Sequence, residues 1–136
     1  MFEKRVIGRT YLLFGDDDNI QGYFTVGIKS MVIPDEMSDE ISNSFRRRMN
    51  LANGDDMLAT HLIGQLSRSN NSPKGTGDIL MEQAMKIIDR CSALEGCRVV
   101  RVDCVDGLCG YYRGRGFKLL CKDRDEDLNQ MIKILS

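Results

Sequence analysis

The chain has 136 residues, of which 42% are hydrophobic and 29% are charged, and its formal net charge is −1. This composition is typical of a soluble globular protein, and the length predicts a single domain over 1–136. The near-zero net charge excludes a general electrostatic field that would recruit nucleic acid or anionic lipid. No apolar run reaches the roughly 18–20 residues that span a bilayer, and the first residues lack a signal-peptide pattern. We therefore expect a cytoplasmic location and no membrane association.

The first part of the chain predicts a β-hairpin. Arg9–Phe14 and Ile20–Ile33 are rich in β-branched and aromatic residues, and the turn residues Gly15–Asn19 join them. Pro34 then ends the second strand.

A short helix is predicted next, over Asp39–Met49, with Ser38 as its N-cap. Its last turn carries Arg46–Arg48, whose positive charges suit a helix C-terminus. A solvent-facing helix end is the simpler interpretation of this basic run, and a phosphate or RNA contact is the alternative. Asn53–Asp56 predicts a further turn.

The middle of the chain predicts a strand–helix–strand crossover. Met57–Ser67 forms the third long strand, an amphipathic helix runs from Gly77 to near Glu95, and Arg98–Val105 alternates as a strand. Strands joined through a helix are expected to be parallel neighbours in a right-handed unit.

Three short elements complete the chain. Leu108–Arg113 is predicted as a helix capped by Asp106, and Phe117–Cys121 as a buried strand. Leu128–Leu135 is predicted as a closing helix or partly helical tail. Hairpin turns mixed with helical crossovers together predict a mixed sheet.

The cysteines form no recognisable site pattern. They show no Cys-x-x-Cys spacing, and His61 is the single histidine, so we expect neither a disulfide scaffold nor a metal centre. A nucleophilic Cys104 or Cys109 is an alternative, but neither has a visible partner base. We interpret the five cysteines as mostly buried small thiols: Cys91, Cys97, Cys104, Cys109 and Cys121.

The loop between the third strand and the long helix has the properties of an anion site. It contains Pro73-Lys74-Gly75-Thr76-Gly77, and its backbone N–H groups would point outward beside the positive end of the helix dipole. The two glycines allow close approach of a ligand or a positive φ. A plain strand–turn–helix connection is the alternative interpretation.

Several segments together resemble the GCN5-related N-acetyltransferase (GNAT) superfamily. Ser72–Gly77 stands in the place of the family's (Gln/Arg)-x-x-Gly-x-(Gly/Ala) pyrophosphate loop. Arg101–Asp106 followed by Cys109–Tyr112 is similar to the family's strand that leads into a short helix ending in aromatic-Tyr. Tyr112–Phe117 matches Tyr-x-x-x-Gly-Phe, and Gly22–Val26 is similar to a glycine–aromatic strand of many members.

The resemblance implies a fold and a coenzyme. The fold would be α/β (α+β), with a mixed, mostly antiparallel sheet, a central splayed pair of parallel strands and flanking helices. Acetyl-CoA would place its pyrophosphate on the loop amides and its pantetheine along the end of the third strand, with Leu66 and Arg68 as backbone partners. The implied coenzyme-binding residues are Leu66, Ser67, Arg68, Lys74, Gly75, Thr76, Gly77, Asp78, Ile79, Asp106 and Tyr111.

The resemblance also implies catalytic roles. The family transfers acetyl by direct attack of an amine on the thioester, so Tyr112 would be the acid for the leaving thiolate, and Leu66 N–H would polarise the carbonyl. The alternative for Tyr112 is packing on Phe117. His61 is a candidate general base, against a structural role. Asp106 would either hold the coenzyme arm or cap its helix.

The sequence departs from the family pattern at the loop and at the N-terminus. Ser72 replaces the long Gln or Arg donor, Pro73 lacks an N–H, and Asp78 would repel phosphate, for which Lys74 would compensate. The strand and helices that usually wall the acceptor site are short or missing, so the acceptor groove would be open, or a partner chain, as in a homodimer, would complete it.

The function expected from these observations is acetyl-CoA-dependent N-acetylation of a primary amine on a small molecule or peptide. One alternative is a toxin-type enzyme that acetylates aminoacyl-tRNA, which the acidic balance of charge disfavours. The other is a non-catalytic module that binds acyl-CoA or a partner.

Overall fold

The computed structural model describes residues 8–49, 57–123 and 126–135. The strands are β1 (Gly8–Phe14), β2 (Ile20–Val32), β3 (Met57–Arg68), β4 (Val99–Cys104), β5 (Lys118–Asp123) and β6 (Leu128–Ile134). The helices are α1 (Asn43–Arg48), α2 (Thr76–Glu95) and α3 (Cys109–Gly114), with a 3-10 turn at Asp106–Leu108. None of the helices in these residues is long and apolar enough to span a bilayer.

The strands form one sheet in the order β1-β2-β3-β4-β6-β5. Its pairs are mostly antiparallel, and β3 and β4, which α2 connects, are the parallel pair. The mixed, mostly antiparallel fold class predicted from the sequence is confirmed. The chain divides into two compact units, Met1–Lys29 with His61–Cys97, and Ser30–Thr60 with Arg98–Ser136.

The first unit contains the predicted hairpin and the long helix. β1 and β2 pair antiparallel, and Tyr11 and Phe24 are opposite each other in the register with rings stacked at 5.2 Å between centroids. The helix α2 buries one apolar face and ends at Gly96, a left-handed C-cap with φ 84°. The buried face is formed by Leu80, Met81, Ala84 and Ile88.

The second unit contains the antiparallel strands β4, β6 and β5 and the helices α1 and α3. Its core brings together residues from α1, from the strands and from the segment before α1. These are Met31, Ile41, Phe45, Met49, Val99, Leu120, Ile132 and Ile134.

The prediction of a closing helix at Leu128–Leu135 is wrong, because Leu128–Ile134 is strand β6. This strand pairs on both sides, with Val102 of β4 and Leu119 of β5 both opposite Met131. Pairing with two neighbours satisfies the backbone of the segment more completely than a short terminal helix would.

The predicted short helix starts later than expected. Ser42 is its N-cap, and its Oγ accepts a hydrogen bond from the Phe45 N–H at 3.1 Å. Ser38 instead forms a turn, since its Oγ accepts from the Glu40 N–H, and its own N–H donates to the Leu120 carbonyl at 2.8 Å. The predicted turn at 53–56 lies outside the described residues.

Candidate functional site

The loop after β3 is folded by a tight turn around Ser69 and Ser72. The Ser69 N–H donates to the Gln21 carbonyl at 2.8 Å, which joins the end of β3 to β2. The Ser72 N–H and Oγ both donate to the Ser69 carbonyl, at 3.0 and 2.6 Å. Because its hydroxyl is used inside the turn, Ser72 serves to shape the loop.

Arg68 brings a cation to this turn. Its guanidinium lies 3.5 Å from the Oγ of Ser72. Ser72 is the residue at the sequence position where the GNAT pattern has a long Gln or Arg donor. Arg68 and Lys74 are both exposed. The loop therefore carries two positive side chains despite the short Ser72.

The second half of the loop leads directly into α2. The Thr76 N–H and Oγ1 both donate to the Pro73 carbonyl, at 3.2 and 2.7 Å, and the Thr76 side chain is buried. The first helical hydrogen bond runs from the Ile79 N–H to the Gly75 carbonyl at 3.2 Å. Of the amides before Ile79, that of Thr76 donates to Pro73, and those of Gly77 and Asp78 lie in the first, positive turn of the helix.

The two loop glycines differ in backbone conformation. Gly75 is the N-cap of α2 with φ 91°, a left-handed conformation that favours glycine. Gly77 has no positive φ, and a Cβ added to it would meet no atom of the described residues within 4 Å. Open space therefore adjoins Gly77 at the start of α2, which leaves room for a ligand to approach its backbone closely.

A glycine on β2 determines how closely the end of β3 is packed. A Cβ on Gly22 would lie 2.7 Å from the Ser67 carbonyl oxygen and 2.7 Å from Cδ1 of Leu80 on α2. Side chains larger than hydrogen are excluded there, which explains the glycine–aromatic pattern of β2. Leu66 beside it is half-buried, and Ser67 and Arg68 are exposed.

Tyr112 lies in the second unit, on α3, and its side chain is 8% exposed. Its ring packs edge-on against Phe117 at 5.6 Å and against Tyr111 at 5.3 Å between centroids. Burial, and to a smaller extent Cys104, raises the pKa of Tyr112 above its ordinary value. The phenol is therefore protonated at neutral pH and can donate a proton.

The predicted Gly-Phe signature after α3 has a structural cause. Gly116 has φ 92°, and a Cβ on it would lie 3.3 Å from Cε of Lys133. Lys133 donates to the Arg115 carbonyl at 2.9 Å, and Arg115 lies over the Tyr111 ring at 5.3 Å. This turn fixes Phe117 where it supports Tyr112.

Asp106 is not the cap of the short helix, which corrects one of the two roles expected for it. The residue before α3 is Leu108, and no side-chain cap is formed there. The Asp106 carboxylate instead accepts from Asn129 Nδ2 at 2.7 Å and from Lys122 Nζ at 3.2 Å. The hydrogen bond from Asn129, followed by that from Lys122, lowers the pKa of Asp106.

The alternative of a nucleophilic Cys104 is not supported by its surroundings. Its Sγ is buried 3.9 Å from that of Cys109 and 3.7 Å from the Met131 sulfur. Burial and the Cys109 thiol raise the pKa of Cys104 to about 12. A thiol that stays protonated is a poor nucleophile.

His61 is buried at 2% exposure, and its Nε2 lies against Oε1 of Glu95 at the end of α2. The sequence singled out His61 but neither Glu95 nor Cys97, whose thiol lies in the same cluster. Glu95 and Cys97 lie 34 and 36 residues after His61 in the sequence, and Gly96 between them forms the turn that ends α2.

Comparison with known proteins identifies the fold. No family model and no curated protein matches the sequence. A structure described as a bacterial toxin has a TM-score of 0.73 over 93% of this chain and 67% of its own, with 12% identity. The structure of AtaT with acetyl-methionyl-tRNAfMet has a TM-score of 0.69 over 91% of this chain and 70% of its own, with 18% identity.

A third similar structure, AtaTR bound with acetyl-CoA, has a TM-score of 0.63 over 91% of this chain and 69% of its own, with 20% identity. Identities this low establish similarity of fold. The chain therefore has the fold of these solved structures, as expected from its sequence resemblance to the GCN5-related N-acetyltransferase superfamily.

Proposed function

We propose that this chain is an acetyl-CoA-dependent N-acetyltransferase that transfers an acetyl group to a primary amine. The observation that carries the proposal is the start of α2, where the left-handed Gly75 is the N-cap and open space adjoins Gly77. A helix N-terminus with an uncovered backbone favours the close approach of an anion. The acetyl-CoA bound to the similar AtaTR supports the same ligand.

The loop residues 74–79 would bind the coenzyme pyrophosphate. Backbone amides at the start of α2 and the helix dipole favour the anion, and the exposed cations Lys74 and Arg68 add charge. The exposed Asp78 opposes them through like-charge repulsion, by at most about 1 kcal/mol at such a solvent-facing position. The two cations therefore give the loop a net preference for phosphate.

The remaining predicted coenzyme contacts belong to the same proposal. The backbone of Leu66, Ser67 and Arg68 would pair with the pantetheine arm, and Asp106 and Tyr111 are the further coenzyme contacts that the sequence resemblance implies.

Tyr112 would supply the proton for the leaving group. The amine nitrogen forms a bond to the acetyl carbonyl carbon, the carbon–sulfur bond breaks, and the thiolate takes the phenolic proton. Leu66 N–H would stabilise the negative charge on the carbonyl oxygen during the attack. The excess proton on the amine passes to a base or to water.

A second candidate acceptor is an aminoacyl-tRNA, which would make the chain a toxin. The specific observation that favours it is the similar structure of AtaT with acetyl-methionyl-tRNAfMet. The three exposed arginines of α1, Arg46–Arg48, would supply phosphate contacts. Against it stands the net charge of −1.

Thiol release during turnover tests the proposal and separates its alternatives. The full chain is incubated with acetyl-CoA and a panel of small amines, amino-terminal peptides and charged tRNAs, and free CoA is measured. Turnover with an amine or peptide supports the first acceptor class, and turnover with charged tRNA alone supports the second. Binding of acetyl-CoA without turnover on any acceptor would instead identify a non-catalytic module.

A further inference from the structure

Three side chains of the first unit, one on β3 and two at the end of α2, lie close together. They are His61 on β3, Glu95 at the end of α2, and Cys97 just after it. The imidazole nitrogen, a carboxylate oxygen and the Sγ all lie within 4.8 Å of one another.

The turn at the end of α2 creates this arrangement. Gly96 has φ 84°, and its N–H donates to the Ser92 carbonyl at 2.8 Å. A left-handed residue at this position reverses the chain, so the residues on both sides of Gly96 can face β3.

His61 lacks a well-formed partner for one ring nitrogen. Its Nε2 touches Oε1 of Glu95, yet it makes no hydrogen bond of good geometry with any residue in the described ranges. A buried polar atom is normally hydrogen-bonded or bound to a metal. The contact with Glu95 is therefore an incomplete explanation of why a histidine is buried there.

We propose that His61, Glu95 and Cys97 bind a zinc ion. Imidazole nitrogen, carboxylate oxygen and thiolate sulfur are the three donor types that zinc takes in proteins. Donors on one tetrahedral zinc at about 2.0–2.3 Å lie about 3.3–3.8 Å apart. The three donor atoms here all lie within 4.8 Å of one another, so small side-chain rotations would bring them to that spacing. One carboxylate and one thiolate with a neutral imidazole balance the charge of Zn²⁺, which suits a buried place.

The site has room for a fourth ligand. A cavity of about 340 Å³ in the first unit is lined by His61 and Glu95, and also by Cys91 one helical turn earlier on α2. Its other walls include Tyr11, Val26 and Ile87. Zinc sites with three protein ligands hold water or substrate in the fourth position. Water from the cavity would complete this site.

The alternative to a zinc site is an ion pair between His61 and Glu95 alone. Such a pair has no need of the Cys97 thiol, whereas a zinc site does. Cys97 and Glu95 are also more exposed than His61, so variants at these two positions are less disruptive to the fold.

Metal titration tests the proposal without reference to any enzymatic activity. The untagged chain is stripped with EDTA under reducing conditions and titrated with Zn²⁺ against a chromogenic chelator. Co²⁺ then serves as a spectroscopic probe, because a cobalt–thiolate bond gives a charge-transfer absorption band. The variants are Cys97→Ser and Glu95→Gln, and Cys121→Ser is the control, since Cys121 is a half-buried free thiol outside the cluster.

We expect one zinc ion per chain, a cobalt–thiolate band, and at least a tenfold loss of zinc affinity in Cys97→Ser and Glu95→Gln. The control should bind as the unaltered chain does. Circular dichroism of the stripped variants establishes that they are folded, and zinc should raise the melting temperature of the unaltered chain but not of Cys97→Ser. Absence of saturable binding, or equal binding by a folded Cys97→Ser variant, would overturn the proposal in favour of the ion pair.

Discussion

The ring of Tyr112 packs edge-on against Phe117, with 5.6 Å between the ring centroids. The contact joins α3 to the residue that follows the left-handed Gly116. Both interpretations of Tyr112 from the sequence, a packed aromatic and a proton donor, are compatible with this geometry. The proton-donor role requires the phenolic hydroxyl, whereas the packing role requires only the ring.

Replacing Tyr112 by phenylalanine separates the two roles. The ring and its contact with Phe117 remain, so we expect the melting temperature to change little. Loss of the proton donor should lower kcat by roughly 10²–10⁴-fold with little change in acetyl-CoA affinity. Steady-state kinetics and calorimetry on the same preparation measure both, and an unchanged kcat would assign Tyr112 to packing alone.

Asp78 should weaken coenzyme binding. Its carboxylate lies at the helix end where the pyrophosphate is proposed to bind, so Asp78→Asn removes a like-charge repulsion of at most about 1 kcal/mol. We expect acetyl-CoA affinity to rise by roughly twofold to fivefold at low salt and the gain to shrink at high salt. Glu82→Gln on the next turn of α2 is the control for a general change of charge. Equal gains in both variants would argue against a phosphate next to residue 78.

The buried Cys104 thiol should make the chain less stable at high pH. Its folded pKa is about 12 against an ordinary value of 9.0, so the folded state holds the proton more tightly than the unfolded chain. That contribution is fully present below about pH 9 and is lost as the pH rises towards 12. In denaturant titrations, Cys104→Ala should lose less unfolding free energy over this range than the unaltered chain, and parallel losses would contradict the assignment.

Gly75 should matter for folding because of its backbone. Its φ of 91° is left-handed, so Gly75→Ala is expected to lower the unfolding free energy by about 1–2 kcal/mol. The matched comparison is Gly77→Ala, which places alanine inside the helix and should be neutral or stabilising by up to about 1 kcal/mol. Thermal and denaturant unfolding of the two variants measure the difference, and equal effects would contradict the distinction drawn between the glycines.

The elements that the sequence predicts well have local causes. The hairpin of β1 and β2 follows from β-branched runs around a turn, and α2 follows from its apolar periodicity between Gly75 and Gly96. The GNAT fold was recognisable because short motifs occurred in the right order on such elements.

The errors have non-local causes. β6 is a strand because β4 and β5 pair with it on both sides, which no local pattern in Leu128–Ile134 reveals. The cap predicted at Ser38 is instead Ser42, because the Ser38 N–H donates to the Leu120 carbonyl of β5. Asp106 likewise does not cap the helix, and its carboxylate accepts a hydrogen bond from Asn129 of β6.

The cluster of His61 with Glu95 and Cys97 was missed for the same reason. The sequence predicted no metal centre because a single histidine and scattered cysteines have no ligand spacing. Folding supplies the proximity through β3, the end of α2 and the turn at Gly96.

The most direct test of the central claim is calorimetric titration of coenzyme A into the unaltered chain, Gly77→Ala and Gly114→Ala. Gly114 is the matched control, a helical glycine where an added Cβ also meets nothing within 4 Å. We predict saturable binding by the unaltered chain, at least a tenfold weaker binding by Gly77→Ala despite undiminished stability, and no change in Gly114→Ala. No binding by the unaltered chain, or equal binding by Gly77→Ala, would contradict a coenzyme pyrophosphate site at the start of α2.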